Sequence, residues 1–129
     1  MEKRTVLIIE DAEATRQLLE MSLTVDGFEV IQCVDGPSGL EAALTMIPDV
    51  VLLDIALPGM DGWEVLRRLR ADPRGQDIPV LVITAHDTAE SEATPMAAET
   101  DGVFGKPFQL PHLRARIASV AANGRDLAA

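Results

Sequence analysis

The stretch VVLLDIALPGMDGWEVL, residues 50–66, predicts a buried strand that ends in a carboxylate. Four apolar residues run directly into Asp54, and a turn containing Pro, Gly and Asp then leads into a helical pattern. A continuous apolar run is typical of a strand covered on both faces, as in a parallel sheet. Asp61 is suited to cap a helix that begins near Gly62. We therefore expect Asp54 to be exposed at the edge of a sheet.

Other parts of the chain repeat this pattern of strand and helix. Four more apolar runs are TVLIIE (5–10), EVIQCV (29–34), PVLVIT (79–84) and GVFGK (102–106). Apolar residues at helical spacing separate them, over 12–25, 37–47 and 110–120, in addition to the helix after Asp61. The alternation predicts an α/β fold, a doubly wound, five-stranded parallel sheet with five helices on its two faces.

The fourth of these helices is poorly specified. Residues 87–101, DTAESEATPMAAETD, contain no Leu, Ile, Val or aromatic side chain, and Pro95 removes a backbone donor near the middle. We expect this helix to be short or irregular. Two interpretations stay open, a tolerated surface segment and a mobile element that a partner recognises.

Composition restricts the classes of function. The 129 residues fit one domain, predicted to span 1–122 and to be followed by a frayed tail, 123–129. The net charge of −10 disfavours direct binding to nucleic acid or to an anionic membrane. No apolar run approaches a membrane span and no leader is evident, which favours the cytoplasm. Cys33 is the only cysteine, and we expect a buried thiol.

Polar residues stand where the predicted strands end. These residues are Glu10-Asp11, Asp54, Thr84-Ala85 and Lys106-Pro107. Ligands of such sheets bind beyond the carboxyl ends of the strands. Three carboxylates at one edge repel one another, and a divalent cation such as Mg²⁺ removes that repulsion. An ammonium and a hydroxyl beside the cation suit a phosphoryl group, and the remaining carboxylate can be its nucleophile.

These residues, in this order and at these strand ends, resemble the response regulator receiver domain over essentially the whole chain. The matching motifs are E10-D11, D54 within LLDIALPGMDG, T84-A85 and K106-P107-F108. The resemblance implies the flavodoxin-like strand order 2-1-3-4-5. It also implies that Asp54 accepts a phosphoryl group from a histidine kinase or a histidine phosphotransfer protein.

The resemblance further implies the roles of the surrounding residues. Asp11 would bind Mg²⁺ directly and Glu10 mainly through water, with Asp54 and the backbone carbonyl of Ala56 completing the protein ligands. Lys106 would pair with the phosphoryl oxygens.

The neighbouring positions have implied roles as well. Thr84 would donate a hydrogen bond to the phosphoryl group, and so move the loop after the fourth strand, while the small Ala85 leaves the phosphate accessible. The bond between Lys106 and Pro107 resembles one that is cis in the family. Ala56 and His86, two positions beyond Asp54 and Thr84, would tune hydrolysis of the phosphate.

The sequence departs from the family pattern around the fifth strand. The family usually has Tyr or Phe at the position of Val103, and Phe104 lies one step later, which on a strand is the opposite face. Glu99 stands where a small Gly is usual. We therefore hypothesise that phosphorylation is read through the order or disorder of residues 86–101 instead of an aromatic switch.

Three functions follow from these features. The first is a phosphorylation-dependent signalling switch, self-catalysed and without turnover of an external substrate. The second is a degenerate receiver, a scaffold that binds proteins without phosphate. The third is a Mg²⁺-dependent phosphatase, against which Ala56 counts because that class has an aspartate there. The downstream target is not identified, and a phosphorylation-dependent homodimer is an open alternative.

Overall fold

A five-stranded parallel sheet organises the chain in the computed structural model, which describes residues 3–85, 91 and 94–125. The strands are β1 (Thr5–Ile9), β2 (Glu29–Cys33), β3 (Val50–Asp54), β4 (Val80–Thr84) and β5 (Val103–Gly105). Their spatial order is β2-β1-β3-β4-β5, and every neighbouring pair is parallel. The predicted sheet and its order are therefore confirmed.

Four α-helices, not five, occur in the described part of the chain. They are α1 (Glu13–Val25), α2 (Gly36–Met46), α3 (Gly62–Ala71) and α4 (Leu110–Asn123). Of the predicted fourth helix, the described part holds a 3₁₀ helix at Pro95–Glu99, which agrees with the expected irregularity. Residues 86–90, 92 and 93 lie outside the described residues. A second 3₁₀ turn, Pro73–Gly75, follows α3.

Two apolar layers cover the two faces of the sheet. Alternate residues of β1 divide between them, Val6 and Ile8 in one layer and Leu7 and Ile9 in the other. The first layer also holds Leu19 of α1, together with residues of α4, whereas the second holds residues of α2 and α3. Because both faces are covered, the central strands need apolar residues at every position, which explains the continuous runs in the sequence.

Capping side chains and a glycine mark the ends of three helices. The Asp61 carboxylate accepts a hydrogen bond from the backbone N–H of Glu64 at 2.9 Å and so caps α3, as predicted. The Asp35 side chain caps α2 in the same way. Gly27 follows the end of α1 at a φ of 93°, a left-handed conformation that glycine adopts without strain.

A buried ionic cluster lies at the edge of the sheet where β4 and β5 begin. The Asp101 carboxylate accepts a hydrogen bond from the backbone N–H of Val80 at 2.8 Å. The Arg125 guanidinium donates to Asp101 Oδ1 at 3.2 Å, and Arg70 lies 3.5 Å from Oδ2. The side chains of the two arginines and the aspartate are each less than 10% exposed. The carbonyl of Glu99 also accepts from Arg70 and Arg125, so the cluster ties the 3₁₀ helix to residues on both sides of it.

Two expectations need revision in detail. Cys33 is half-buried, so the expectation of a buried thiol is wrong, because β2 is an edge strand whose residues are only partly covered. Within the predicted tail, Asn123 still belongs to α4 and Arg125 is hydrogen-bonded to Asp101, while 126–129 lie outside the described residues.

No helix in the described ranges is both long and apolar enough to cross a membrane.

We expect the substitution Asp101→Asn to destabilise the fold by about 3 kcal/mol, because it removes the buried carboxylate that, together with the more exposed Glu99, compensates two buried guanidinium groups. Urea unfolding would measure the loss. Glu41→Gln is the control, since Glu41 is exposed on α2 and should change stability by less than about 0.5 kcal/mol. Equal stabilities of the two variants would contradict this assignment.

Candidate functional site

Three charged side chains from separate strand ends meet at one edge of the sheet. Glu10 follows β1, Asp54 is the last residue of β3 and Lys106 follows β5. The Lys106 ammonium Nζ lies 2.5 Å from Glu10 Oε1 and 3.1 Å from Asp54 Oδ2. The parallel register places these ends side by side, since β1 pairs with β3 and β4 lies between β3 and β5. The juxtaposition predicted from the strand ends is therefore present.

Asp54 is buried, which corrects the expectation that the sheet edge exposes it. Only 3% of the residue is accessible to solvent, whereas 23% of the Lys106 side chain is. Lys106 reaches across the end of the sheet, and its charge makes burial of the carboxylate tolerable. Asp54 Oδ1 also accepts a hydrogen bond from the backbone N–H of Ala56 at 3.1 Å, so both oxygens have a partner.

Three carboxylates are close enough to share a cation. Glu10, Asp11 and Asp54 each offer one oxygen, and these oxygens lie within 4.8 Å of one another. Two oxygens bound to the same Mg²⁺ at about 2.1 Å lie at most about 4.2 Å apart, so small side-chain rotations would be sufficient. Asp11 is exposed while the other two are buried, which leaves one open side for water and substrate. The donor set therefore fits Mg²⁺.

The electrostatics of the pair reflect its burial. Burial, hydrogen bonding to Asp54 and the charge of Asp54 together raise the pKa of Glu10 to about 7, although Lys106 opposes the shift. For Lys106, burial disfavours the charged form, but the hydrogen bonds to Glu10 and Asp54 outweigh it and raise the pKa of the ammonium. Near neutral pH the site thus holds a charged lysine and a Glu10 carboxyl that is neutral in a substantial fraction of the molecules.

The end of β4 supports the position of Lys106. Thr84 is fully buried, and its backbone carbonyl accepts a hydrogen bond from the N–H of Lys106 at 2.7 Å. The peptide bond between Lys106 and Pro107 is cis, as the resemblance implies. Ala85 is exposed just beyond the strand. His86 lies outside the described residues, so its expected effect on hydrolysis stays a prediction.

The two residues at the unusual positions of β5 face opposite ways. Val103 packs in the layer with α2 and α3, whereas Phe104 packs in the layer with α1 and α4. The expected reversal of face at this step is confirmed. Phe104 therefore does not occupy the place of the aromatic residue that the family usually has at the position of Val103.

Two supporting residues escaped the reasoning from sequence. A Cβ added at Gly62 would lie 2.5 Å from the carbonyl oxygen of Asp54, so only glycine permits the close approach of α3 to this loop. The guanidinium of Arg16 donates hydrogen bonds to the backbone carbonyls of Glu10 and Asp11, each at 2.9 Å. The glycine in the sequence Asp61-Gly62-Trp63 could have predicted the close approach to Asp54. No sequence pattern predicts the hydrogen bonds of Arg16.

Comparison with known proteins identifies the family. The family model of the response regulator receiver domain matches residues 6–118. The response regulator PleD from Caulobacter vibrioides is 38% identical over 115 residues, which make up 89% of this chain and 25% of PleD. RpaA of Synechocystis and MprA of Mycobacterium, each 38% identical over 112 residues, are also longer proteins, and the chain spans 46% and 48% of their lengths.

Solved structures share the architecture. The chemotaxis protein CheY4 of Vibrio cholerae superposes with a TM-score of 0.83 at 27% identity, over 92% of this chain and 99% of that protein. The receiver domain of a sensor histidine kinase from Pseudomonas aeruginosa has a TM-score of 0.85 at 24% identity, over 94% and 99% of the two chains. The crystal structure of that domain contains a magnesium ion coordinated in its active site cleft.

In Mg²⁺-free buffer, we expect Glu10 to make folding stability fall as the pH rises from about 4.5 to about 7. The unfolded chain releases the proton of this carboxyl near pH 4.5 and the folded protein near pH 7. The stabilisation from the retained proton is therefore full below pH 4.5 and is lost as the pH passes 7, by up to about 1.4 kcal/mol per pH unit. Urea titrations at several pH values would measure the slope.

The variant Glu10→Gln should lose this part of the slope, because glutamine does not titrate. Glu20→Gln is the matched control, since Glu20 is exposed in the middle of α1, away from the strand ends. A slope in Glu10→Gln as steep as in the control would count against the raised pKa of Glu10.

Proposed function

The chain belongs to the response regulator receiver domain family, and on that premise we propose that it is a signalling switch whose Asp54 accepts a phosphoryl group. The donor would be a histidine kinase or a histidine phosphotransfer protein. The observation that carries the proposal is the buried Asp54 carboxylate, 3.1 Å from the Lys106 ammonium and beside Glu10 and Asp11. A carboxylate, a fixed cation and an acidic pair are the groups that transfer of a phosphoryl group onto aspartate requires.

The proposed step is an in-line displacement at phosphorus. An oxygen of the Asp54 carboxylate attacks the phosphorus of a phosphohistidine, the O–P bond forms, and the P–N bond breaks with its electron pair left on the imidazole nitrogen. Lys106 then lies next to the new phosphoryl oxygens and balances their charge. The hydroxyl of Thr84, at the end of the neighbouring strand, is proposed to donate a hydrogen bond to one of them.

The metal is proposed to be Mg²⁺, held by Asp11, Asp54 and the backbone carbonyl of Ala56, with Glu10 acting mainly through water. When bound, the ion neutralises the carboxylates and withdraws charge from the phosphoryl oxygens. The support from this chain is the set of three carboxylates within one ion's reach, with Asp11 open to solvent. Lys106 also offsets part of the repulsion between Glu10 and Asp54 before the ion arrives, although the charge of Asp54 still raises the pKa of Glu10.

We further propose that the protein does not turn over an external substrate. Its chemistry would be limited to accepting the phosphoryl group and losing it again by hydrolysis, at a rate that Ala56 and His86 influence. The complete acidic site, with its lysine in place, favours this switch over the scaffold that never carries phosphate. A cytoplasmic location is an expectation that accompanies a histidine kinase partner.

Incubation with Mg²⁺ and acetyl phosphate should add about 80 Da, the mass of one phosphoryl group, because a small phosphodonor can replace the kinase. Intact-mass spectrometry would detect the adduct. Asp54→Asn should abolish it, because the amide is a poor nucleophile, and Asp77→Asn should retain it, because Asp77 is exposed at the opposite edge of the sheet.

The same experiment separates the switch from the scaffold. An adduct that persists in Asp54→Asn would place the phosphoryl group on another residue. Trp63, in the first turn of α3, reports on the loop after Asp54 by its fluorescence. A wild-type protein that stays unmodified, and whose Trp63 fluorescence does not change with beryllofluoride, would favour the scaffold, in which partners bind without phosphate.

We also propose that phosphorylation is read through the segment before β5, as Val103 cannot act as an aromatic switch. Residues 86–101 of this segment should change their amide hydrogen exchange when Mg²⁺ and beryllofluoride, which mimics a phosphoryl group, are added, because a hydrogen bond from Thr84 to that group would move the residues that follow β4. The backbone amides of Leu19 and Leu23, the two buried residues of α1, serve as the internal control. Unchanged exchange over 86–101, with beryllofluoride bound, would exclude this route.

A further inference from the structure

Arg16 makes a contact that none of the roles described so far uses. Its guanidinium extends from α1 back to the end of β1, where Nη1 lies 2.9 Å from the backbone carbonyl oxygen of Glu10 and 2.9 Å from that of Asp11. One nitrogen, with its two hydrogens, thus bridges two consecutive peptide groups. We propose that Arg16 is a positioning residue for the divalent cation, an inference that rests on the proposed function because it assumes a Mg²⁺ site.

The bridge matters because the Asp11 side chain has little else to hold it. Asp11 is exposed, and within the described ranges no donor bonds its carboxylate. Glu10, by contrast, is held by the Lys106 ammonium and by the backbone N–H of Ala12 at 3.3 Å. The direction in which the Asp11 side chain leaves the backbone depends on the two peptide groups that Arg16 fixes. Arg16 therefore orients the Asp11 carboxylate, which is the least restrained of the three proposed metal ligands.

The bridge is rigid because the Arg16 side chain extends from a helix. Arg16 belongs to the first turns of α1, and its own backbone N–H donates to the carbonyl of Ala12 at 3.1 Å. The side chain is half-buried, so its hydrogen bonds compete with less water than those of a fully exposed arginine. The loop between β1 and α1 is consequently closed on itself, with Glu10 and Asp11 fixed between a strand and a helix.

Positioning and simple electrostatics predict opposite effects. The positive charge of Arg16 repels a divalent cation, so if charge were its whole influence, removing it would strengthen Mg²⁺ binding. If Arg16 positions Asp11, removing it weakens Mg²⁺ binding, because part of the binding energy is then spent on ordering the loop. Groups that orient metal ligands typically change metal affinity by about 10-fold to 100-fold when they are lost. The sign of the change thus distinguishes the two accounts.

The test is a calorimetric titration of the metal-free protein with MgCl₂, in the wild type and three variants. Arg16→Met keeps the length of the side chain but removes the donors, and we expect its Kd for Mg²⁺ to rise about tenfold. Arg16→Lys keeps a donor that can reach a carbonyl and should recover part of the loss. Arg74→Met removes the same charge from an exposed arginine at the opposite edge of the sheet and should leave the Kd unchanged.

The outcomes are distinguishable from failure of the proposed function. If the wild type does not bind Mg²⁺, the metal site itself is wrong. If the wild type binds and Arg16→Met binds equally well or more tightly, the positioning role is overturned. Should Arg16→Met fail to fold, as judged by circular dichroism, the neutral and shorter Arg16→Gln replaces it, with the same expected rise and the same contradicting result.

Discussion

The structure depends on one constraint, that two buried carboxylates cannot both be ionised side by side without a cation between them. Glu10 and Asp54 are 1% and 3% exposed, and the Lys106 ammonium contacts both. Even with this contact, burial and the neighbouring Asp54 raise the pKa of Glu10 to about 7, and without it they would drive one carboxyl to its neutral form or push the strand ends apart. Lys106 can reach both only because β5 carries it to the same edge as β1 and β3. The topology of the sheet and the charge balance of the site are therefore one requirement.

The two-layered packing meets this requirement by fixing the positions of the strands relative to one another. The central strands β1, β3 and β4 contribute fully buried residues to both layers, so a shift of one strand would disturb apolar contacts on both faces. The site itself is built from residues at the strand ends and in the short loops beyond them. Gly62 and Arg16 attach those loops to the helices that follow. The packed strands and the attached loops together hold Glu10, Asp54 and Lys106 close to one another, whereas the same groups free in water would separate.

The features that the sequence predicts are those set by local chemistry. Continuous apolar runs predict the strands, Asp61 predicts the start of α3, and the two-residue period of a strand predicts that Val103 and Phe104 face apart. The strand ends predict which residues meet, since parallel strands share an edge.

Features set by contacts between distant residues escape such reasoning. Asp54 is buried because Lys106, 52 positions later in the chain, lies over it. The cluster around Asp101 joins Arg70 and Arg125, whose partnership no local pattern reveals. That cluster also has a geometric consequence. Because Arg125 is bound where β4 and β5 begin, a fluorescent protein or an affinity tag fused after this residue would start on the side of the molecule away from Asp54. Such a fusion would leave Glu10, Asp11 and Asp54 accessible to a large phosphodonor.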